Sequence, residues 1–275
     1  MTRRKRKRQR GFTKFVLAFI CICAVLFFLH NGDVVPKISN VIPSPGKGDQ
    51  FEIPVSLQER DEIRLKRTAF TVSYNNFYKT PNWVAWELTK AETTGDEKRK
   101  NKFQPDPELP EPRVEHADYT NSGYDRGHMT PAADMKWDSQ AMEESFYMSN
   151  ICPQNRKLNR DDWADLEEQC RDWANVYGKI YIACGPIYDT RAPKRIGEHG
   201  VAVPDRFFKV VLIYDDGNPM AMGFLFKNEA HHQNLKNYMV TVDRVEEETG
   251  LDFFPRLPDS IENRIESTIP EVAFN

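Results

Sequence analysis

Asp125-Arg126-Gly127-His128-Met129 is the stretch whose reading decides the fold. It sets an imidazole two residues from a guanidinium, with a glycine between them and a carboxylate just before. A neutral histidine accepts a proton near pH 7, and arginine grips a phosphate with two parallel hydrogen bonds. Glycine allows the backbone to approach another group closely or to take a strained turn. The chemistry suggested is attack on a phosphodiester. The competing structural reading is a packed, hydrogen-bonded core histidine, which five residues alone do not exclude.

Working outward, the clearest element is a helix over Asp161–Tyr177. Trp163, Leu166, Cys170, Trp173 and Tyr177 recur at three- and four-residue spacing and make one apolar stripe, with Gly178 as its stop. Asn159 stands just before the first turn. If the helix includes it, about 100° and 1.5 Å per residue place Glu167 ~80° around and ~12 Å along from it, and Arg171 ~120° and ~18 Å. An amide oxygen at Asn159 is a hard ligand suited to Mg2+, leaving room for waters and phosphate oxygens. Glu167 could accept hydrogen bonds from the ion's water shell, and Arg171 could neutralise charge in the transition state. The plainer readings are a helix N-cap for Asn159, a surface ion pair for Glu167 and Arg171, and turn roles for Asn150 and Asn155. His231-His232 lacks a third ligand at helical spacing and reads as surface.

The remaining pattern is mixed. Thr68–Tyr74 and Trp83–Thr89 alternate as strands, and the charged, proline-rich segment 91–112 reads as a loop. A short helix is expected over Ser139–Ser145, with extended chain over Phe146–Ile151. Lys179–Cys184 reads as a buried strand ending at Gly185-Pro186. Arg206–Tyr214 and Met220–Phe226 flank a turn and form a hairpin. Thr241 caps a helix that reaches Thr249, with Gly250 at its end. A last short helix is expected over Ile261–Ile265. Strands beside segregated helices make the fold class α+β. Cys152, Cys170 and Cys184 lack C-x-x-C spacing, which counts against zinc; export would permit one disulfide without choosing the pair.

The first 30 residues carry eight Lys or Arg and no acid, leaving 30 basic against 41 acidic side chains over residues 31–275. That acidic balance counts against a broad attraction to nucleic acid, so a polyanion would need a local basic groove or a bridging metal. The basic head is followed by an apolar run, Phe15–Leu29, with residues 12–30 as the expected membrane contact. No small-x-small cleavage site follows it, which favours a single-pass anchor over a cleaved signal. The positive-inside rule leaves the head cytoplasmic and exports the rest to the periplasm or outside. The expected division is an N-terminal segment 1–30, a proline- and glycine-bearing tether 31–58, and one domain over 59–275.

Taken together, Tyr124-Asp125-Arg126-Gly127-His128-Met129, Ser149-Asn150-Ile151-Cys152-Pro153-Gln154 and Leu158-Asn159 with Trp163 and Leu166-Glu167 resemble the DNA/RNA non-specific endonucleases. That family includes mitochondrial endonuclease G and secreted bacterial nucleases. The resemblance implies a ββα-metal (His-Me finger) core on a mostly antiparallel sheet with flanking helices. It implies His128 as general base on water, Asn159 holding a single Mg2+ (with Mn2+ as a substitute), and Glu167 keeping the ion's water shell. Arg126 and Arg171 would stabilise phosphate charge, Asn150 would orient the loop after His128, and Asp125 would fix the strand-to-turn geometry. Hydrolysis would then leave a 5′-phosphate and a 3′-hydroxyl on DNA or RNA, and an inhibitor protein is a conceivable partner. Leu158-Asn159-Arg160, followed by Asp161-Asp162, departs from the Leu-Asn-Gln often seen at the metal position. Two other functions compete: a phosphodiesterase or pyrophosphatase acting on small nucleotides, and a catalytically silent nucleic-acid-binding protein on the same fold.

Overall fold

Among the described residues the chain forms thirteen strands: β1 (Val55–Ser56), β2 (Ile63–Lys66), β3 (Thr71–Asn75), β4 (Thr80–Thr89), β5 (Asp125–His128), β6 (Ile151–Gln154), β7 (Lys179–Ile187), β8 (Arg195–Ile196), β9 (Val201–Ala202), β10 (Arg206–Ile213), β11 (Met220–Lys227), β12 (Met239–Val240) and β13 (Leu251–Asp252). The described residues also form five α-helices: α1 (Ser139–Glu144), α2 (Arg156–Arg160), α3 (Asp162–Tyr177), α4 (Val242–Thr249) and α5 (Asp259–Glu266). The structure, a computed structural model, describes residues 49–214 and 218–274.

Seven strands form an antiparallel sheet in the order β12-β11-β10-β7-β4-β3-β2. β7 and β10 are buried along almost their whole length, hence their largely apolar sequence, interrupted in β10 by Lys209. Successive residues of a strand face opposite ways, and β10 shows it: Phe207 meets Trp163 of α3, while Phe208 meets Phe253 from the other side. On β11, Phe224 and Phe226 pack against Trp173 and Trp163, whereas Val245 of α4 fills the space over Gly223. The sheet therefore lies between α3 on one face and α4 with its following segment on the other. The stripe Trp163, Leu166, Cys170 and Trp173 is buried, as its spacing requires.

Several expectations are corrected. The helix expected over Asp161–Tyr177 is α3, but Asn159 does not continue it: Asn159 lies in α2, and Asp161, at φ −108° and ψ −103°, separates the two, so the rotation estimated from Asn159 to Glu167 does not apply. β7 runs through Gly185-Pro186 because β4 pairs with it only as far as Cys184. Beyond that point, the missing N–H of Pro186 costs no bond on that side. Over Phe146–Ile151 the chain makes a 3-10 turn at Met148–Asn150 before β6 begins. Packing starts ahead of Glu59. Phe51 is buried against Tyr181 and Tyr214, and β1 pairs with β13, so part of the supposed tether belongs to the fold. Cys152, Cys170 and Cys184 are all buried free thiols. The apolar run Phe15–Leu29 lies outside the described residues, and among those described no helix is long and apolar enough to cross a membrane.

Candidate active site

β5 and β6 form a separate antiparallel hairpin, with Asp125 opposite Gln154 and His128 opposite Ile151. Gly127 is required there by space. A Cβ on it would sit 2.2 Å from Oε1 and 2.6 Å from Cβ of Gln154, so the glycine serves a close approach. The indole N–H of Trp163 donates to the carbonyl of His128 at 3.3 Å, tying α3 to the end of β5. Asn150 is completely buried. Its Oδ1 accepts from the Thr130 N–H at 3.0 Å, and its Nδ2 donates to the Thr130 and Ser145 carbonyls, both at 2.9 Å. All the bonds of that amide therefore lock the turn after His128.

The imidazole of His128 is 7% exposed and lies between two rings, Phe103 at 5.3 Å and Phe146 at 5.0 Å between centroids. Two guanidiniums flank this aromatic nest: Arg99 lies 5.2 Å over Phe146, and Arg126 lies 5.7 Å over both Phe103 and Tyr119. Burial, with a lesser push from the charge on Arg99, lowers His128 to about 3, so the ring is neutral at pH 7. Its Nε2 is buried with no hydrogen-bond partner. Arg126 is anchored by donation to the His116 carbonyl at 2.7 Å, while its buried Nε has no acceptor. Arg126 and His128, two apart on one strand, thus both face Phe103.

Asn159 is not a helix cap. Asn155 takes that role for α2, its Oδ1 accepting from the Lys157 N–H at 2.9 Å, and no side chain caps α3. Instead, Nδ2 of Asn159 donates to Asp125 at 3.2 Å. Asp125 also accepts from Arg160 at 2.8 Å and lies 3.4 Å from Arg156, so its carboxylate binds α2 to β5 and takes up the charge of Arg160. Committing Nδ2 fixes which way the amide points. Among the described residues no hydrogen bond uses Oδ1 of Asn159, and a hard oxygen held in this way suits Mg2+. The residues present fit the ion.

Glu167 and Arg171 do not form the surface pair their spacing allows. Arg171 donates to the buried Asp134 at 3.1 Å, and Asp134 also accepts from the Trp86 indole at 3.1 Å. Burial pushes Glu167 up to about 7; the charge of Asp134 adds to the push, while Lys209, Arg171 and Arg99 oppose it. Arg99 is the cation felt by both His128 and Glu167, which links the hairpin to α3.

Four residues around these groups were given no role by the sequence reading. Arg99 and Phe103 sit in the segment read only as a charged loop. Asp134 follows the pentapeptide by five residues without a pattern. Lys209 is fully buried, its ammonium 4.2 Å over the Trp163 ring and without a hydrogen-bond partner. A lysine inside Phe207-Phe208-Lys209-Val210-Val211, on the same face as Phe207, was the available signal for it.

The profile of the DNA/RNA non-specific endonuclease family matches residues 47–260. The mitochondrial nuclease EXOG of Danio rerio is 39% identical over 207 residues, covering 69% of this chain; the chain spans about three-fifths (60%) of that protein's length. The Homo sapiens mitochondrial nuclease EXOG is 36% identical over 280 residues, covering 91% of this chain and 75% of its own. A crystal structure of EndoG in complex with EndoGI superposes with a TM-score of 0.71 at 27% identity, covering 78% of this chain and 94% of that one. It confirms the α+β fold with its ββα-metal hairpin and helix. Relatives that are mitochondrial nucleases overturn the expected single-pass, exported localisation. The chain belongs to the DNA/RNA non-specific endonuclease family.

Proposed function

We propose that the protein is a Mg2+-dependent endonuclease that hydrolyses phosphodiester bonds of DNA and RNA with little sequence preference. The observation that carries this reading is the clamp of Asp125 on Asn159, which presents an amide oxygen to a cation beside the strand that holds a neutral His128. His128 takes the proton of a water as the water's oxygen attacks phosphorus and the bond to the 3′ oxygen breaks, the departing oxygen taking a proton from solvent to become the hydroxyl. The products are a 5′-phosphate and a 3′-hydroxyl. Arg126 and Arg99, held on the two sides of the aromatic nest, bind the phosphate oxygens and steady the added charge. Asn159 would hold the ion and Glu167 would accept hydrogen bonds from its water shell; when bound, the ion would supply Lewis-acid neutralisation of the phosphate and the leaving oxygen. Mn2+ has the same oxygen preference and is expected to substitute. Arg171, braced by Asp134, adds positive charge next to Glu167.

Acidic balance over the chain is offset locally by Arg99, Arg126, Arg156 and Arg160. It still favours, as a second reading, a hydrolase of small nucleotides, which needs no long basic groove. A silent binding protein has no use for an oriented Asn159 or a neutral, unpartnered His128. An inhibitor protein is a partner this reading admits, since the EndoG complex concerns inhibition by EndoGI. The test is the full chain on supercoiled plasmid, structured RNA and a dinucleotide, each with Mg2+ and with EDTA. Nicking of plasmid and RNA abolished by EDTA supports the endonuclease. Turnover of the dinucleotide alone supports the second reading instead.

A further inference from the structure

A second group of acids lies away from the hairpin, α2 and α3. Asp243 and Glu246 are three apart on α4 and share a face; Glu266 ends α5, which packs on α4. One carboxylate oxygen from each lies within 4.8 Å of the others. Burial, and then the nearby charges of Glu246, Glu262, Asp243 and Asp252, raise the proton affinity of Glu266. Glu246 accepts from the Phe253 N–H at 2.7 Å. Glu266, only 5% exposed, has a buried Oε1 with no partner, and so does Glu262. The neighbouring cation, Arg244, is turned to Glu247 and Glu248.

Carboxylates brought this close in a partly buried place repel one another unless they hold protons or share a cation. Two oxygens on one calcium at ~2.4 Å are separated by at most ~4.8 Å, which this trio satisfies. Calcium also tolerates irregular all-oxygen surroundings, whereas magnesium demands an octahedron and keeps its waters. We propose that Asp243, Glu246 and Glu266 bind a Ca2+ ion between α4 and α5, separate from the site at Asn159. The ion would fasten α5, and with it the C-terminal segment, onto α4.

The test needs no nuclease activity. Equilibrium dialysis of the full chain against Ca2+ should give one ion per chain fewer for Glu266→Gln than for wild type, with the same loss on an Asn159→Ala background. Millimolar Ca2+ should raise the wild-type melting midpoint by about 3 °C over its value in EGTA, and leave Glu266→Gln unmoved. Asp243 is exposed, so Asp243→Asn provides the same comparison should Glu266→Gln fail to fold. Equal ion counts in wild type and variants, or a midpoint shift that survives them, would overturn the proposal. The acids then hold protons.

Discussion

The neutral, buried state of His128 has a consequence for stability that can be worked out and measured. In an unfolded chain the imidazole titrates at 6.5; in the fold burial holds it at about 3. Between those values the unfolded chain binds more protons, so stability is full above 6.5 and is lost as pH falls toward 3. At pH 5 the unfolded chain gains about 2 kcal/mol from protonating this residue, while the folded protein gains almost nothing. At pH 8 neither gains. The perturbation is His128→Gln, which keeps a polar side chain and removes the titration. Urea unfolding in EDTA at pH 8 and pH 5 should show wild type losing about 2 kcal/mol more than the variant on acidification. Carboxylates that burial pushes up, such as Glu266 at about 9, titrate in the opposite sense but are present in both proteins and cancel. Parallel losses in the two proteins would refute the reasoning, because His128 would then be as easily protonated in the fold as outside it.

Three further outcomes follow from the site. Gly127→Ala should destabilise by about 1–3 kcal/mol in urea unfolding, since its Cβ meets Gln154, and Gln154→Ala should restore part of that loss; a neutral single variant would contradict the close approach. Asp125→Ala frees the Asn159 amide, so the Mg2+ concentration for half-maximal cleavage should rise about 10–100-fold, while Arg160→Gln has a smaller effect. Asp134→Ala leaves Arg171 and the Trp86 indole without their acceptor and should cost about 3–5 kcal/mol by thermal or urea unfolding. Retention of full stability would show that the pair is not held as described.

Sequence and structure agree where local periodicity or a compact motif carried the information. The stripe from Trp163 to Trp173, the β10–β11 hairpin and the Thr241 cap were all legible, because each is fixed by contacts a few residues apart. The short helix α2 that carries Asn159 was not, because Arg156–Arg160 is too brief for periodicity to show and its hold on β5 runs through Asp125, 34 residues from Asn159. Of the site, the imidazole, the amide and the arginines could be named in advance. Their surroundings could not. Phe103 and Arg99 reach His128 from a segment without periodicity, and Arg171 chose Asp134, 37 residues away, over the nearer Glu167. Residues 1–48 were read from composition alone, and the membrane-anchored, exported localisation drawn from them is the expectation that the relatives overturned.

The central claim is that His128 and Asn159 act in one reaction, as base and as metal holder. Plasmid cleavage in saturating Mg2+ by wild type, His128→Ala, Asn159→Ala and the double variant tests it most directly. Each single variant should lose at least about a hundredfold in rate. The double variant should be little worse than the poorer single, as for residues that act as a unit. Near-wild-type cleavage by either single variant, or losses that multiply in the double variant, would contradict it.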